Sequence, residues 1–463
     1  MTRRANTLSP LGDATYRKLF LAQVIALAGS GLATVALALL AYDMAGGDAG
    51  FVLGSALALK MVAYVGVAPL AGAYAHKLPR KPLLVALDLG RAVSIALIPF
   101  VTEIWQIYVL IFALSACSAG FTPTFQATIP DVLPDDARYT RALSLSRLAY
   151  DLENLISPML AAVALTFLSY NALFTVNAAS FLISAMLVLS VTLPVAQTPE
   201  RDSERSLLTH GMRVYLRTPR LRALLALSMA AAMGGAMVII NTVVYIREHL
   251  GGSETDTAIA FAAYGAGSMA VALALPRVLD VQPDRPFMLA GAALLGLGLL
   301  LGLANPGYYS LMAIWVLLGC GSSLIQTPSA RLLKRSAHEG DRPAVYAAHF
   351  SLSHACWLVA YLIAGWIGGL LGLMTVFLVF GIGTIVFAVT AAAIWKAPDV
   401  QQLVHRHEAT EHNHEHVHDE HHQHPHDGSE GPEPHRHAHT HEPVEHRHDF
   451  VIDLHHGNWP SRG

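Results

Sequence analysis

The sequence predicts an all-α polytopic membrane protein, with twelve transmembrane helices in two six-helix halves and a disordered cytoplasmic tail. Three observations lead to this fold class. Hydrophobic residues make up 54% of the 463 positions and charged residues only 14%. Apolar stretches of about 20 residues, enough to cross a hydrocarbon core of ~30 Å, recur along the chain. The region after residue 396 is instead polar and rich in histidine.

The apolar stretches divide the chain. We expect spans near residues 17–42, 51–75, 82–101, 104–126, 140–167, 171–193, 221–248, 256–279, 287–304, 308–330, 344–371 and 373–396. They form an N-terminal half (1–193) and a C-terminal half (221–396), joined by a polar central loop (194–220) and followed by the tail (397–463). A net charge of −3 leaves no basic surplus for binding nucleic acid.

Loop charge predicts the orientation. Arginine and lysine cluster at the N-terminus, after span 2, in the central loop and after span 10, whereas the alternate loops hold almost none beyond Arg247. By the positive-inside rule, the basic loops belong in the cytoplasm. We therefore expect a multi-pass protein of the cell inner (plasma) membrane, with both termini and the tail in the cytoplasm.

An internal repeat supports the two halves. A shift of 205 positions places Pro123 on Pro328 and Asp136 on Asp341, each pair at the boundary between an even span and the next. Two six-span units are the simplest explanation. In a transporter built this way, the substrate path lies between the halves near the middle of the membrane.

The tail indicates divalent-metal binding. It holds 18 of the 24 histidines, many in His-x-His runs interleaved with Asp and Glu. Imidazole is the commonest metal ligand in proteins and suits Zn, Ni, Co and Cu(II), among which the tail cannot choose. An acidic low-complexity tail that binds no metal is the alternative. The candidate metal ligands are His412, His414, His416, His418, His421, His422, His424, His426, His435, His437, His439 and His441.

Charged residues at membrane depth are costly, so each requires a partner or a function. Lys60 lies near the middle of span 2, either in a structural ion pair or as a charge that takes part in transport. Asp151 and Glu153 lie near the middle of span 5, about 200° apart around the helix. Asp151 is the preferred carboxylate for binding metal or the counter-transported proton. Alternatively, it only neutralises Arg147, four residues earlier.

Span 11 carries three further candidates. His349 and Cys356 share a face at i and i+7, while His354 is turned about 140° from His349. Cys356 corresponds to Asp151 under the 205-residue shift. Each of the three either lines the path as a ligand or is a packed, hydrogen-bonded residue.

The loop after span 2 carries a family resemblance. Residues Gly72 to Lys81, with His76, Lys77 and Arg80, resemble the Gly-x-x-x-Asp-Arg/Lys-x-Gly-Arg/Lys-Arg/Lys signature of the major facilitator superfamily. His76 replaces the usual Asp and Pro79 the usual Gly. The resemblance implies that Gly72, His76, Lys77, Arg80 and Lys81 form a gating loop at the inner mouth.

Other stretches of the sequence resemble particular branches of this superfamily. Asp88 with Arg91, and the segment 123–142, resemble the branch with enterobactin and macrolide exporters, and Glu153 to Ala162 resembles the antiporter motif. With the tail, the whole chain resembles the His-tailed nickel-resistance exporters of this superfamily. That resemblance implies a secondary transporter that exports nickel, and next cobalt, in exchange for protons. It implies no enzyme activity and no cofactor beyond the transported metal, and we expect a monomer.

Two other functions remain open. The first is export of a siderophore, a metal chelate or a drug, with the tail as a metal buffer or sensor. The second is a membrane-anchored metal-binding protein that has lost transport. Sensitivity to an organic compound in cells that lack the protein, with unchanged nickel tolerance, would favour the first. Transport of a substrate by a protein without the tail would exclude the second.

Overall fold

The structure is a computed structural model of the whole chain. It describes residues 9–74, 79–135, 160–193, 204–279, 281–337 and 342–396, scattered positions between 138 and 157, and four strands within 402–449.

Twelve α-helices lie within these described ranges. They are α1 Ala14–Ala45, α2 Ala49–Tyr74, α3 Arg80–Leu97, α4 Ile104–Val132, α5 Tyr170–Leu189, α6 Glu204–Arg217, α7 Pro219–Val244, α8 Glu254–Leu279, α9 Asp284–Leu301, α10 Tyr308–Lys334, α11 Arg342–Leu371 and α12 Leu373–Ile394. Those residues between 138 and 164 that are described are also helical.

Local chemistry sets several helix ends. The side chain of Asp13 accepts a hydrogen bond from the Tyr16 N–H (2.9 Å) and caps α1. A reciprocal capping box between Glu103 and Gln106 starts α4. Gly372 separates α11 from α12 with φ at +83°, a conformation that glycine adopts without steric cost. The chain can thus reverse direction between these two helices.

The helices have the length and exterior of a membrane protein. Ten segments of the described residues are long and apolar enough to cross a membrane, and the first contains both α1 and most of α2. They account for eleven predicted spans, while the fifth, 140–167, falls where only scattered residues are described. Large apolar side chains such as Phe100, Leu273 and Leu370 face outward, as the lipid-facing surface of a polytopic protein requires.

The helices pack in two groups that follow the predicted halves. In the first half, α1 and α3 pack on α5, and α2 and α3 pack on α4. In the second half, α8 and α9 pack on α10, and α7 and α9 pack on α12. The core of the second half includes the fully buried Trp315, whose indole N–H donates to Thr242 Oγ1 (2.8 Å).

The halves meet mainly along α2 and α11. A Cβ at Gly54 would lie 2.9 Å from Gly365 Cα, and one at Gly365 would lie 2.6 Å from the Gly50 carbonyl oxygen, so the approach requires glycine. Nearby, the Tyr42 hydroxyl donates to Glu248 Oε1 (2.8 Å). We call this end of the bundle the far end, and the end with the α2–α3 and α10–α11 connections the basic end.

The central loop is more ordered than predicted. Instead of a loop throughout, residues Glu204–Arg217 form α6, because Leu208, Met212 and Tyr215 follow the i, i+4, i+7 spacing of an amphipathic helix. The helix packs on the start of α11, where a Cβ at Gly211 would lie 2.2 Å from the Ala344 carbonyl oxygen. The linker is therefore attached to the C-terminal half.

The tail also differs from the predicted disorder. Strand β1 (Gln402–Arg406) pairs antiparallel with β4 (Glu445–Asp449), and β2 (Thr410–His416) pairs antiparallel with β3 (His435–His441). The physical reason is the alternation of histidine with other residues, since a repeat of two matches the period of a strand. Composition alone indicates disorder, but the order of the residues favours strands.

Candidate functional site

A group of polar and aromatic residues lies between the halves near mid-depth of the bundle. We call Lys60, Tyr64, Glu153, Phe350 and His354 the central cluster. Lys60 is about 17 Å along α2 from Ala49 at 1.5 Å per residue. The Lys60 ammonium lies 6.0 Å from the Tyr64 ring centroid, and the Tyr64 ring lies 5.5 Å from that of His354. The cluster therefore joins α2, the fifth predicted span and α11.

Lys60 and Glu153 supply the charges of the cluster. Both side chains are half-buried, and their opposite charges attract each other. Such attraction is strong at membrane depth because the surroundings screen it poorly. The sequence left open whether Lys60 belongs to an ion pair, and the structure places Glu153 of the fifth span close enough for the two charges to attract.

The hydrogen bonding of His354 leaves one of its ring nitrogens available as a base or a metal ligand. Its Nδ1 lies 2.7 Å from the Phe350 carbonyl oxygen. Because a carbonyl only accepts hydrogen bonds, Nδ1 carries the hydrogen, and in the neutral ring Nε2 keeps its lone pair. This arrangement, with Nδ1–H held by a backbone carbonyl, is common among metal-binding histidines. Nε2 can thus accept a proton or coordinate a metal ion.

Aromatic rings form the wall beside His354. The Phe350 and His354 ring centroids are 3.9 Å apart, and the Phe350 ring is 6.3 Å from Tyr64. Phe350 is 38% exposed although it lies within a helix of the bundle. Tyr64 and Phe350 were not among the predicted site residues. The available signal was spacing, since Tyr64 follows Lys60 by four residues and Phe350 precedes His354 by four.

His349 and Cys356 lie on another face of α11. The Tyr215 hydroxyl of α6 lies 3.0 Å from His349 Nδ1, and Cys356 is buried in the core. Burial raises the pKa of the Tyr215 hydroxyl, so it keeps its proton and can donate to His349. The predicted shared face exists, but it packs against α6 within the C-terminal half and not beside His354. For these two residues the contacts favour the packing alternative, and a place in the path stays a prediction.

The predicted carboxylates are described unequally. Asp151, the preferred one, and its neighbour Arg147 lie outside the described residues. Glu153 of the same predicted span is described, and its charge is attracted by that of Lys60. Asp151 therefore stays a prediction.

The sequence profile of the Major Facilitator Superfamily matches residues 19–244 and again 224–430. The chain belongs to the major facilitator superfamily. It is therefore a multi-pass membrane transporter and not an enzyme, and the central cluster lies between the two halves of a major facilitator fold.

Several relatives are similar to this major facilitator. An uncharacterised major facilitator-type transporter, YfiS of Bacillus subtilis (strain 168), is 23% identical over 68% of this chain and 77% of its own length. Macrolide efflux protein A of Enterococcus faecalis is 24% identical over 31% of this chain and 47% of its own length. The chain thus spans about half of the macrolide efflux protein.

Solved structures show the same fold at low identity. The nucleoside transporter NupG superposes with a TM-score of 0.64 at 15% identity, covering 83% of this chain and 99% of NupG. A bacterial homologue of the human lysosomal transporter Spinster, in an inward-facing and unoccupied conformation, has a TM-score of 0.63 at 12% identity. It covers 82% of this chain and 96% of its own.

The predicted gating loop is described in part. Gly72 lies in the last turns of α2, while His76 and Lys77 lie outside the described residues. Arg80 forms an ion pair with Asp131 at the end of α4, and the Lys81 ammonium donates to the Val191 carbonyl oxygen (2.8 Å). These contacts join the loop to α4 and to the chain after α5 at the basic end.

The second half has a counterpart with reversed charge. Asp284 at the start of α9 is fully buried, 3.4 Å from Arg331 and 3.4 Å from Arg335 near the end of α10. In the first half the arginine starts α3 and the aspartate ends α4. Asp131 and Asp284 were not among the predicted site residues, because their arginine partners are distant in the sequence.

The buried Asp88–Arg91 pair on α3 has structural partners on neighbouring helices. The Arg91 guanidinium contacts Asp88, and the Ser184 hydroxyl also donates to Asp88 (2.8 Å). Arg91 lies over the Phe121 and Phe181 rings, 3.9 Å and 4.6 Å from their centroids. These contacts hold α3, α4 and α5 together.

Proposed function

We propose that this transporter exports a divalent transition metal ion, nickel first and cobalt next, from the cytoplasm in exchange for protons. The observation that carries the proposal is the register of the tail. His412, His414 and His416 stand directly opposite His439, His437 and His435. Six histidines therefore occupy directly opposed, alternate positions of a two-stranded ladder.

This register supports metal binding better than composition does. Opposed residues of an antiparallel pair have Cα atoms about 4.5–5.5 Å apart, so each pair can offer two imidazoles to one ion. Of the predicted ligands, His441 also lies on β3, whereas His418, His421, His422, His424 and His426 lie outside the described residues. We infer that the tail collects ions and raises their concentration beside the transport path.

The direction of transport follows from loop charge and from the contacts between the halves. The positive-inside rule assigns the basic end to the cytoplasm. In the part of the chain that the structure describes, contacts between the halves extend from the far end to the depth of Tyr64. We infer a state that opens toward the cytoplasm and can accept an ion there.

The central cluster supplies groups for binding and coupling. His354 Nε2 is a nitrogen ligand of the kind that nickel and cobalt favour. Glu153 alternates between an ionised form that pairs with Lys60 and a protonated form that carries a counter-transported proton. In this proposal Asp151 is the second candidate for that carboxylate.

The test is uptake of radioactive nickel into inside-out membrane vesicles under an imposed proton gradient. Full-length protein is compared with a chain that ends at Val400. We expect both to accumulate nickel, with uptake stopped by collapsing the gradient, and the shorter chain to need a higher nickel concentration. No gradient-dependent uptake by either chain would reject the proposal.

Export of an organic compound is the second candidate. Two observations favour it: the aromatic wall of Tyr64 and Phe350, and the similarity to macrolide efflux protein A. In the same vesicles, gradient-dependent uptake of a labelled macrolide without any uptake of nickel would select it.

A further inference from the structure

We propose that the tail, when it holds no metal, docks on the basic end of the bundle, and that metal binding releases it. The partner of this surface is thus a segment of the same chain, residues 397–463. The docking stands apart from the proposed function, whereas its effect on transport rests on it. Three observations carry the inference: the charge of the tail, the exposed cations of the basic end and the anchoring of Trp395.

The tail is strongly acidic. Residues 397–463 contain thirteen Asp and Glu against four Arg and no Lys, a net charge of −9 with the histidines neutral. Because the whole chain has a net charge of −3, the rest of the chain carries +6. Opposite charges of this size attract each other over about 10 Å at about 0.1 M salt. The tail is therefore drawn to the most positive surface within its reach.

The positive charge of the remainder is concentrated at the basic end. The far end carries only Arg247 against six acids, which are Asp43, Asp48, Glu103, Glu248, Glu254 and Asp256. At the basic end, exposed cations of the described residues occur in both halves, against the exposed Asp135. They include Arg17 and Lys18 on α1, Arg213 on α6, Arg222 on α7, Arg277 on α8, Lys334 on α10 and Lys396 after α12. A docked tail can therefore contact both halves across the opening between them.

Trp395 fixes the start of the tail to this surface. Its side chain is buried, and its carbonyl oxygen accepts a hydrogen bond from Arg285 Nε (2.5 Å). The Arg335 guanidinium lies 5.9 Å from its ring centroid. Arg335 is the sequence neighbour of the exposed Lys334 at the end of α10. The tail therefore begins beside the cations of the C-terminal half.

This anchoring keeps the acids of the tail close to the basic end. Asp399 and Glu408 are the first two acids, four and thirteen residues after Trp395. An extended chain can carry them about 14 Å and about 46 Å from it, and the second distance equals about four helix diameters. Later acids can therefore contact α1 in the other half. Tethering also raises their effective concentration at this surface to the millimolar range.

Metal binding reverses the charge balance. A neutral imidazole binds a divalent ion without losing a proton, so each bound ion adds two positive charges to the tail. About four or five ions cancel the charge of −9, and 18 histidines are sufficient to hold them at about four ligands each. A neutral tail is no longer attracted to the basic end, and the opening between the halves becomes accessible. Export then begins only when metal has filled the tail.

Carbodiimide cross-linking of the full chain tests the docking. The reagent joins a carboxylate to a lysine in contact with it, and mass spectrometry locates the joined peptides. Without metal, we expect amide bonds from tail carboxylates to both Lys18 and Lys334. Nickel, or about 0.5 M sodium chloride, should lower their yield at least about fivefold relative to cross-links outside the tail. If no such bonds form without metal, or if nickel leaves their yield unchanged, the inference is wrong and lipid phosphates become the expected partner of these cations.

Nickel uptake into inside-out vesicles tests the consequence for transport. Full-length protein should show a sigmoidal dependence on nickel, with a Hill coefficient of about 2, because several ions must bind before the tail is released. The chain that ends at Val400 should show a hyperbolic dependence. Hyperbolic curves for both chains would overturn the effect on transport while metal export stands. If neither chain takes up nickel, the proposed function is wrong, and cross-linking alone decides the docking.

A matched set of variants tests the surface itself. Lys18→Glu combined with Lys334→Glu reverses charge at the basic end in both halves, so uptake by the full chain should become hyperbolic. Gly307→Glu adds negative charge at the far end, where nothing lies within 4 Å of an added Cβ, and should keep the sigmoidal curve. A sigmoidal curve in the double variant would contradict docking at these lysines. If that variant does not reach the membrane, Lys18→Gln combined with Lys334→Gln provides the same test with a smaller change of charge.

Discussion

At the scale of single residues, one hydrogen bond decides the chemistry of His354. The Phe350 carbonyl holds Nδ1–H at 2.7 Å, which leaves Nε2 as the basic atom. His349, five residues earlier, uses Nδ1 in a contact with Tyr215 of α6. Two histidines on one helix thus have different roles, because one faces the other half of the molecule and the other faces its own half.

Replacing His354 should reduce nickel transport. His354→Phe keeps the ring but removes the ligand, and we expect kcat/KM for nickel to fall by about 10- to 100-fold. Initial rates of nickel uptake in vesicles measure this effect. The matched variant His349→Phe should lower the amount of folded protein and leave the KM for nickel unchanged. Equal effects on KM would contradict the distinction between the two histidines.

Neutralising Glu153 should uncouple transport from protons. Glu153→Gln cannot release a proton, so gradient-driven uptake should be lost while exchange of nickel for nickel continues. Both rates are measured in vesicles loaded with or without nickel. Asp151→Asn is tested beside it, since the sequence favours that position. Normal gradient-driven uptake in Glu153→Gln together with its loss in Asp151→Asn would transfer the coupling role to Asp151.

At the scale of elements, the β2–β3 ladder turns a run of histidines into defined pairs. His412 stands opposite His439 at one end, and His416 stands opposite His435 at the other. A disordered tail with the same composition would make all histidines equivalent. The ladder predicts instead that partners across the strands act together.

Double-mutant cycles on the full chain can detect this pairing. His412→Ala and His439→Ala should be non-additive in the free energy of nickel binding by roughly 0.5–3 kcal/mol, because either change destroys the same pair. His412→Ala and His435→Ala belong to different pairs and should be additive. Titration calorimetry measures both cycles. Additive effects in both would show that the tail binds metal without this register.

The α2–α11 contact is also an element-scale feature that sequence patterns only suggest. The small residues Gly50, Gly54 and Gly365 are visible in the sequence, but their pairing across 300 positions is not. Helix spans follow from hydropathy, which is local. Which helices pack together depends on the shape and burial of their surfaces, and these are defined only in the folded protein.

At the scale of the whole molecule, the two halves move against each other around the central cluster. The described contacts hold them together at the far end, through α2 with α11 and through Tyr42 with Glu248. Transport requires these contacts to break and a closure to form at the other end. The far-end contacts therefore set the balance between the two conformations.

A large side chain at Gly365 should shift that balance. Gly365→Leu overpacks the contact with Gly50 and Gly54, at a cost of about 1–3 kcal/mol, which corresponds to a 5- to 150-fold change in population. We expect slower nickel uptake and less disulfide cross-linking between Phe51→Cys and Trp366→Cys, whose native rings are 5.2 Å apart. The control Gly307→Leu has nothing within 4 Å of its Cβ and should change neither. Unchanged cross-linking in Gly365→Leu would contradict the far-end closure.

The sequence by itself indicated a polytopic membrane protein, its two-half architecture and the residues able to bind metal or protons. It could do so because hydropathy, loop charge and histidine content are properties of local composition. The Asp88–Arg91 pair is local in the same sense, because its partners are three residues apart. The tertiary structure alone decided that Tyr64 lies beside His354, that His349 contacts Tyr215 and that the tail histidines stand in opposed pairs. The physical reason is that these contacts join residues far apart in the chain, where packing and backbone pairing choose the partner and local pattern does not.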